Sequence, residues 1–186
     1  AADSPGPERR RGRSRIGMSN VIICGVRKEQ MDFVVRILTS ACLYGGRKVR
    51  IIRHVTEGNT SSCHFRTGEN VFFPVIAPGQ ADLILALEPG EAVRELHYLK
   101  KDGHLILVPE AVMPEKDCGY SPGTCVAFLK RRVKNLHIVS SEDMRKTGEG
   151  PTAVVSAGAA LQAGELGIPG EFLEKAVHHI FAAGCT

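Results

Sequence analysis

The sequence predicts a single α/β domain with an open, mainly parallel sheet, helices on both faces and an inserted hairpin. Three observations carry this prediction. Short apolar runs alternate along the chain with amphipathic segments of helical spacing, as in successive βαβ units. Glycine turns separate several of these runs and segments. The 186 residues, 43% of them hydrophobic, are enough to bury one full core.

The first predicted unit is a strand, a glycine turn, a helix and a second strand. Residues 20–24 (NVIIC) form the opening apolar run, and Gly25 follows it. Residues 29–44 repeat apolar side chains at intervals of three and four, which predicts a helix ended by the next two glycines. Residues 49–52 (VRII) form the second strand. This opening is Rossmann-like, the arrangement typical of nucleotide-type α/β folds.

A loop and a hairpin are predicted next. Residues 53–62 are polar and are interpreted as a loop. Residues 63–76 alternate apolar and polar side chains around a Gly-Glu-Asn turn, a pattern that indicates two antiparallel strands.

Residues 82–108 are predicted to form a complete βαβ unit. The apolar run 83–87 is typical of a strand covered on both faces. Pro89 suits the first turn of the following helix, where its missing donor would be unpaired anyway. On that helix we interpret Glu95 as solvated. A turn at Asp102 and Gly103 leads to the strand 105–108.

The last third of the chain is predicted to be mostly helical. Its elements are an irregular segment 109–123, a short helix or extended segment around 126–133, a strand 136–139, a short helix capped by Ser140 or Ser141, a small-residue helix 153–166 and a final helix 169–181.

Charge and apolar patterning restrict the class of protein. Residues 1–17 hold five arginines against two acidic residues, so this segment carries three of the four net positive charges. We predict a disordered basic tail over 1–17 and one domain over 18–186. The nearly neutral domain gives no sign of nucleic-acid binding. No apolar run approaches the ~20 residues needed to cross a membrane, so a soluble cytoplasmic protein is expected.

Six cysteines, at 24, 42, 63, 118, 125 and 185, contain no CxxC pair. The spacing of zinc ribbons and ferredoxin-type clusters is therefore missing. Buried positions such as Cys24 suit free thiols in a reducing cytoplasm. Cys118 and Cys125 could alternatively form a redox pair.

The candidate site lies just beyond the strand 83–87, because open α/β sheets place their ligand crevice at the carboxyl ends of strands. Glu88 is either a ligand contact there or an acidic residue favoured at a helix start. His54 and His64 flank the polar loop and could meet Glu57 or Glu69, but their spacing matches no recognised metal motif. No GxSxG, HExxH or P-loop motif is present, so no catalytic residue is predicted.

The segment LALEPGEAVRELHYLKKDG, residues 85–103, resembles the gamma-type domain of 2-oxoacid ferredoxin oxidoreductases, above all the indolepyruvate type. The resemblance extends more weakly over about residues 19–183. The family's glycine-rich turn, G-x-G-G-Q-G, is GVRKEQ in this chain, where Gly25 remains and Arg27 and Lys28 replace glycines. These two side chains should obstruct a bound pyrophosphate in the usual pose. They form either a solvated basic turn or a phosphate contact of different geometry.

A second family signature, H-G-M-S-Q-R-G-G, aligns with residues 52–59, and only Gly58 matches it. The following H-x-R-x-G is kept as His64, Arg66 and Gly68, so the alignment is in register. A family asparagine is also missing from residues 156–163 (SAGAALQA). The resemblance implies cofactor-contact positions at Gly25, Arg27, Lys28, Gly58 and Glu88, in a site that has been altered or lost.

Two functions follow from these observations. The resemblance implies a subunit that binds no cofactor alone and completes the site of a large partner carrying thiamine diphosphate, with iron–sulfur clusters also on partner subunits. The alternative is a stand-alone binding or regulatory homodimer, with Tyr98, Leu99 and the helix 153–166 as its face. An NAD-dependent dehydrogenase is disfavoured because no G-x-G-x-x-G follows the first strand.

Overall fold

The computed structural model describes residues 17–55, 61–109, 119–139, 156, 158–160, 164 and 166–183. In chain order the elements are β1 (Ser19–Gly25), α1 (Lys28–Tyr44), β2 (Lys48–Val55), β3 (Ser61–Gly68), β4 (Ala81–Ala86), α2 (Pro89–Glu95) with one 3₁₀ turn (Leu96–Tyr98), β5 (Leu99–Leu107), α3 (Pro122–Arg132), β6 (Asn135–Ile138) and α4 (Gly170–Ala183). The predicted tail, the short helix after residue 140 and most of the predicted helix 153–166 lie outside the described residues. Of that last helix, residues 156 and 158–160 are helical.

The six strands form one sheet in the order β2-β3-β1-β4-β5-β6. Strands β1, β4, β5 and β6 run parallel, and β3 runs antiparallel to both β1 and β2. Five strands therefore point the same way and one is reversed. This confirms the predicted open, mainly parallel sheet.

Helices cover both faces of the sheet, as predicted. Successive residues of β1 point to opposite faces, so Val21 and Ile23 join the core under α1 and α4, while Ile22 and Cys24 join the core under α2 and α3. All four are fully buried. A strand buried on both sides is apolar throughout, which is why the run NVIIC does not alternate.

The hairpin predicted within residues 63–76 is wrong. The antiparallel pair is β2 with β3, so residues 53–55 and 61–62, predicted as loop, are strand. Residues 71–77 form no strand. Their backbone groups bond to side chains of β3 instead: Ile76 N donates to His64 Nδ1, and Arg66 Nη1 donates to the carbonyls of Phe73 and Val75. An alternating pattern cannot reveal such side-chain partners.

The βαβ unit of residues 82–108 is confirmed, since β4 and β5 are parallel and α2 lies between them. The predicted turn at Asp102 and Gly103 is wrong, because β5 begins at Leu99 and contains both residues. A register irregularity between Ala81 and Leu83 absorbs the extra residues of β5. A bulged strand and a short turn give the same local composition of polar residues and glycine.

Candidate site at the carboxyl edge of the sheet

The carboxyl ends of β1 and β4 meet at one edge of the sheet. Leu87 N donates to Cys24 O at 2.8 Å, which ties the residue after β4 to the end of β1. A Cβ on Gly25 would lie 3.1 Å from Leu87 Cβ, so glycine allows this close approach. Gly25 and Glu88, both predicted from the sequence, therefore lie at the same edge.

The basic turn between β1 and α1 carries an ion-pair network. Arg27 is the exposed N-cap residue of α1 and makes no side-chain cap. Lys28 Nζ lies 2.5 Å from Asp32 Oδ2, and Arg53 Nη1 lies 3.1 Å from Asp32 Oδ1. Asp32 thus draws Lys28 back along its own helix. Phosphate binding by Arg27 and Lys28 stays a prediction.

Glu88 is buried and both of its carboxylate oxygens are bonded within the chain. It is the N-cap of α2, where Oε2 accepts the backbone N–H of Glu91 at 2.8 Å. Oε1 accepts the hydroxyl of Tyr120, which lies just before α3. Of the two interpretations of Glu88, this geometry favours the helix cap. A ligand contact at Glu88 stays a prediction, and Gly58 lies outside the described residues.

A row of carboxylates that sequence reasoning missed runs along α2. Glu88, Glu91 and Glu95 recur at the i, i+3, i+7 spacing that places side chains on one helix face. Glu91 is only 4% exposed, and Glu95, interpreted above as solvated, is half-buried with a buried, unpaired Oε2. Burial raises the pKa of Glu91 to about 6; Arg94, at 3.5 Å, lowers it, and the neighbouring carboxylates raise it. The i, i+3, i+7 spacing of the three glutamates is the sequence feature from which this row could have been predicted.

The thiol at the end of β1 is kept protonated by this environment. Burial first, and then Glu95, Glu91 and Glu88, raise the pKa of Cys24 well above its ordinary value. Because the thiolate is the reactive form, Cys24 is unsuited to nucleophilic chemistry. Cys125, the other member of the predicted redox pair, is a free thiol, and Cys118 lies outside the described residues.

Histidines and a tyrosine pack together beside the carboxylate row. The ring of His64 lies 4.8 Å from that of His54 and 4.9 Å, edge-on, from that of Tyr98. Burial, followed by His54 and His97, lowers the pKa of His64 to about 4. Within the described ranges, no three His, Cys, Asp or Glu side chains are arranged to hold a metal ion.

The fold and this edge define a Rossmann-like α/β domain that carries buried carboxylates at the carboxyl edge of its sheet. The family model described as pyruvate ferredoxin/flavodoxin oxidoreductase matches residues 20–184, and the chain belongs to that family. This confirms the resemblance seen in the segment 85–103.

The likeness to a curated relative agrees with this assignment. Subunit IorB of indolepyruvate oxidoreductase from Thermococcus kodakarensis is 36% identical over 87 residues. That match covers 45% of this chain and 43% of the relative, so the chain matches less than half of the relative's length.

Two solved structures share the fold. The pyruvate oxidoreductase subunit PORC of Thermotoga maritima superposes with a TM-score of 0.64 at 15% identity, covering 88% of this chain and 85% of that one. The gamma subunit of a keto/oxoacid ferredoxin oxidoreductase from Geobacter sulfurreducens gives 0.57 at 16% identity, covering 86% and 84%. No helix among the described residues is both long and apolar enough to cross a membrane.

Proposed function

We propose that this chain is the small, non-cofactor-bearing subunit of a 2-oxoacid:ferredoxin oxidoreductase of the indolepyruvate type. It packs against a large subunit that binds thiamine diphosphate and completes the site there. The observation that carries the proposal is the family match over residues 20–184, supported by the likeness to IorB. The reaction of such a complex is the oxidation of a 2-oxoacid with transfer of electrons to ferredoxin.

The carboxyl edge of this chain does not fit a diphosphate cofactor. Glu88, Glu91 and Glu95 place carboxylates where a diphosphate would need positive charge or free backbone donors. Lys28 is paired with Asp32. The negative charge at this edge supports a partner subunit as the carrier of thiamine diphosphate.

We expect the complex to be cytoplasmic. Cys24, Cys42 and Cys63 are buried free thiols. Unpaired thiols of this kind persist in a reducing compartment.

The test is co-expression with a thiamine-diphosphate-binding large subunit from the same organism. We expect the two chains to co-elute, and the complex to reduce ferredoxin or a viologen dye with indolepyruvate while neither chain does so alone. Pyruvate and 2-ketoisovalerate serve as alternative substrates. A large subunit that is fully active without this chain would contradict the proposal.

A stand-alone binding or regulatory homodimer is the second candidate, favoured by the internal bonding of both Glu88 oxygens and of Lys28. Tyr98 and Leu99, its predicted face, are half-buried against the domain's own core. Thermal-shift measurements with thiamine diphosphate, coenzyme A, flavins and nicotinamide nucleotides separate the candidates, because a ligand of the folded state raises stability. A homodimer stabilised by one nucleotide would support this second function.

A further inference from the structure

The connection between β3 and β4 exposes an unusual apolar segment. Phe72, Phe73 and Val75, called the Phe72–Val75 strip below, are 76%, 74% and 55% exposed. Single exposed apolar residues are common on protein surfaces. Two adjacent phenylalanines at three-quarters exposure form instead a contiguous apolar feature, which marks an interaction site more often than an ordinary surface.

The strip is held in place by the sheet beneath it. Arg66 Nη1 donates to Phe73 O at 2.7 Å and to Val75 O at 3.2 Å, and Arg66 Nε donates to Asn20 Oδ1 at 2.9 Å. Buried residues, Val71 and Ile76, anchor the two ends. Because the backbone is already ordered, a partner that covers the rings pays little additional conformational entropy.

The charges around the strip are mainly positive. Arg66 lies directly beneath the strip, and its neighbour across the β2–β3 ladder is Arg50, which is exposed. Arg66 Nη2 also contacts Met18 Sδ, and five arginines precede Met18 within fifteen residues. Glu69 is the acidic side chain of this connection, and the arginines outnumber it.

This charge pattern selects the kind of partner. A second copy docked about a two-fold axis would bring Arg50 and Arg66 towards the same arginines of its mate. The basic residues 1–17 carry the wrong charge and only one large apolar side chain, Ile16, to cover two rings. A different protein surface with an apolar recess and a carboxylate rim fits both features of the strip.

We infer that the Phe72–Val75 strip is the docking anchor for the large subunit, which receives the two rings in an apolar recess rimmed by acidic side chains. This inference rests on the proposed function. At three-quarters exposure the two rings offer on the order of 300 Å², against roughly 800 Å² per partner in a stable interface. The strip is therefore the centre of a larger contact, where aromatic residues supply most of the binding energy.

The test measures the affinity of the full chain for the purified large subunit by biolayer interferometry. The variant Phe72→Ser/Phe73→Ser should bind at least about tenfold more weakly, as expected on removal of two anchor rings. Leu43→Ser is the matched control, since Leu43 is 59% exposed but lies on α1, on the other face of the sheet. It should bind like the wild type. Melting temperatures of all variants are measured first and should be unchanged.

Charge reversal tests the chemistry of the partner. Arg50→Glu should slow association and weaken its dependence on salt, because rim charges act mainly on the rate of encounter. Wild-type affinity in the double Phe variant would overturn the docking surface while leaving the proposed function intact. Faster association of Arg50→Glu would overturn the acidic rim. Failure of the wild-type chain to bind the large subunit would overturn the proposed function and this inference together.

Discussion

Replacing Glu91 with glutamine should stabilise the protein above pH 6 and leave its stability unchanged below pH 4.5. The reason is the burial of this carboxyl group on α2, which raises its pKa from 4.5 to about 6. Glu91 therefore binds a proton more tightly in the folded protein than in the unfolded chain. Wild-type stability therefore decreases as the pH rises from 4.5 to about 6, and it stays lower at every pH above 6.

The size of the effect follows from the shift. One pKa unit corresponds to about 1.4 kcal/mol, so the shift costs the folded state up to about 2 kcal/mol at neutral pH. Glutamine keeps the shape of the side chain and removes the charge that burial disfavours. For a domain of this size, about 2 kcal/mol corresponds to a rise in melting temperature of roughly 4–8 °C.

The assay is urea unfolding of wild type and Glu91→Gln at half-unit steps from pH 4 to pH 8. The informative quantity is the difference between the two free energies of unfolding, because titrating groups that do not interact with Glu91 cancel in it. Glu174→Gln, at an exposed position on α4, is the control and should show a difference near zero throughout. A flat difference for Glu91→Gln, or a variant less stable than wild type at pH 8, would refute the reasoning.

Three other predictions concern the same region. Burial lowers the pKa of His64 from 6.5 to about 4, so the free energy of unfolding of the wild type should decrease as the pH falls from 6.5 to 4. His64→Asn keeps an acceptor for Ile76 N and should remove up to about 3 kcal/mol of this decrease, measured by urea unfolding at each pH. Gly90→Ala should lower the melting temperature, because its Cβ would lie 3.0 Å from both Glu88 Oε2 and Tyr120 Cε2. Gly123→Ala is the control: its Cβ would have no atom within 4 Å, so this variant should gain about 0.5–1 kcal/mol of stability. Equal effects of the two substitutions would contradict this account. Tyr120→Phe should cost about 1–3 kcal/mol in chemical denaturation, as a bond to a carboxylate is lost, and that cost should shrink in a Glu88→Gln background.

Elements defined by local periodicity were predicted well. Helix α1 was expected over 29–44 and spans Lys28–Tyr44, and the final helix was expected over 169–181 and spans Gly170–Ala183. The strand order and the partner of β3 were not predictable in this way. A polar strand such as Arg53–Val55 is stabilised by backbone bonds to a neighbour that lies several residues away along the chain.

The candidate site was only partly predictable. The sequence predicted a site at Glu88, because that residue follows an apolar run and precedes Pro89, and the structure places Glu88 at the carboxyl edge of the sheet as expected. It did not reveal that Glu91 and Glu95 are buried, since glutamates on a short helix are usually solvated. Nor did it reveal Tyr120, which reaches Glu88 from 32 residues further along the chain.

The sequence by itself determined the α/β class, the βαβ unit and the family, because these depend on spacings within some twenty residues. The tertiary structure alone decided which side chains meet at the carboxyl edge and which aromatic rings stay uncovered. Both depend on how α2 and the connection 71–77 lie on the sheet. That placement is set by burial and by long-range hydrogen bonds, whose partners carry no mark in the local sequence.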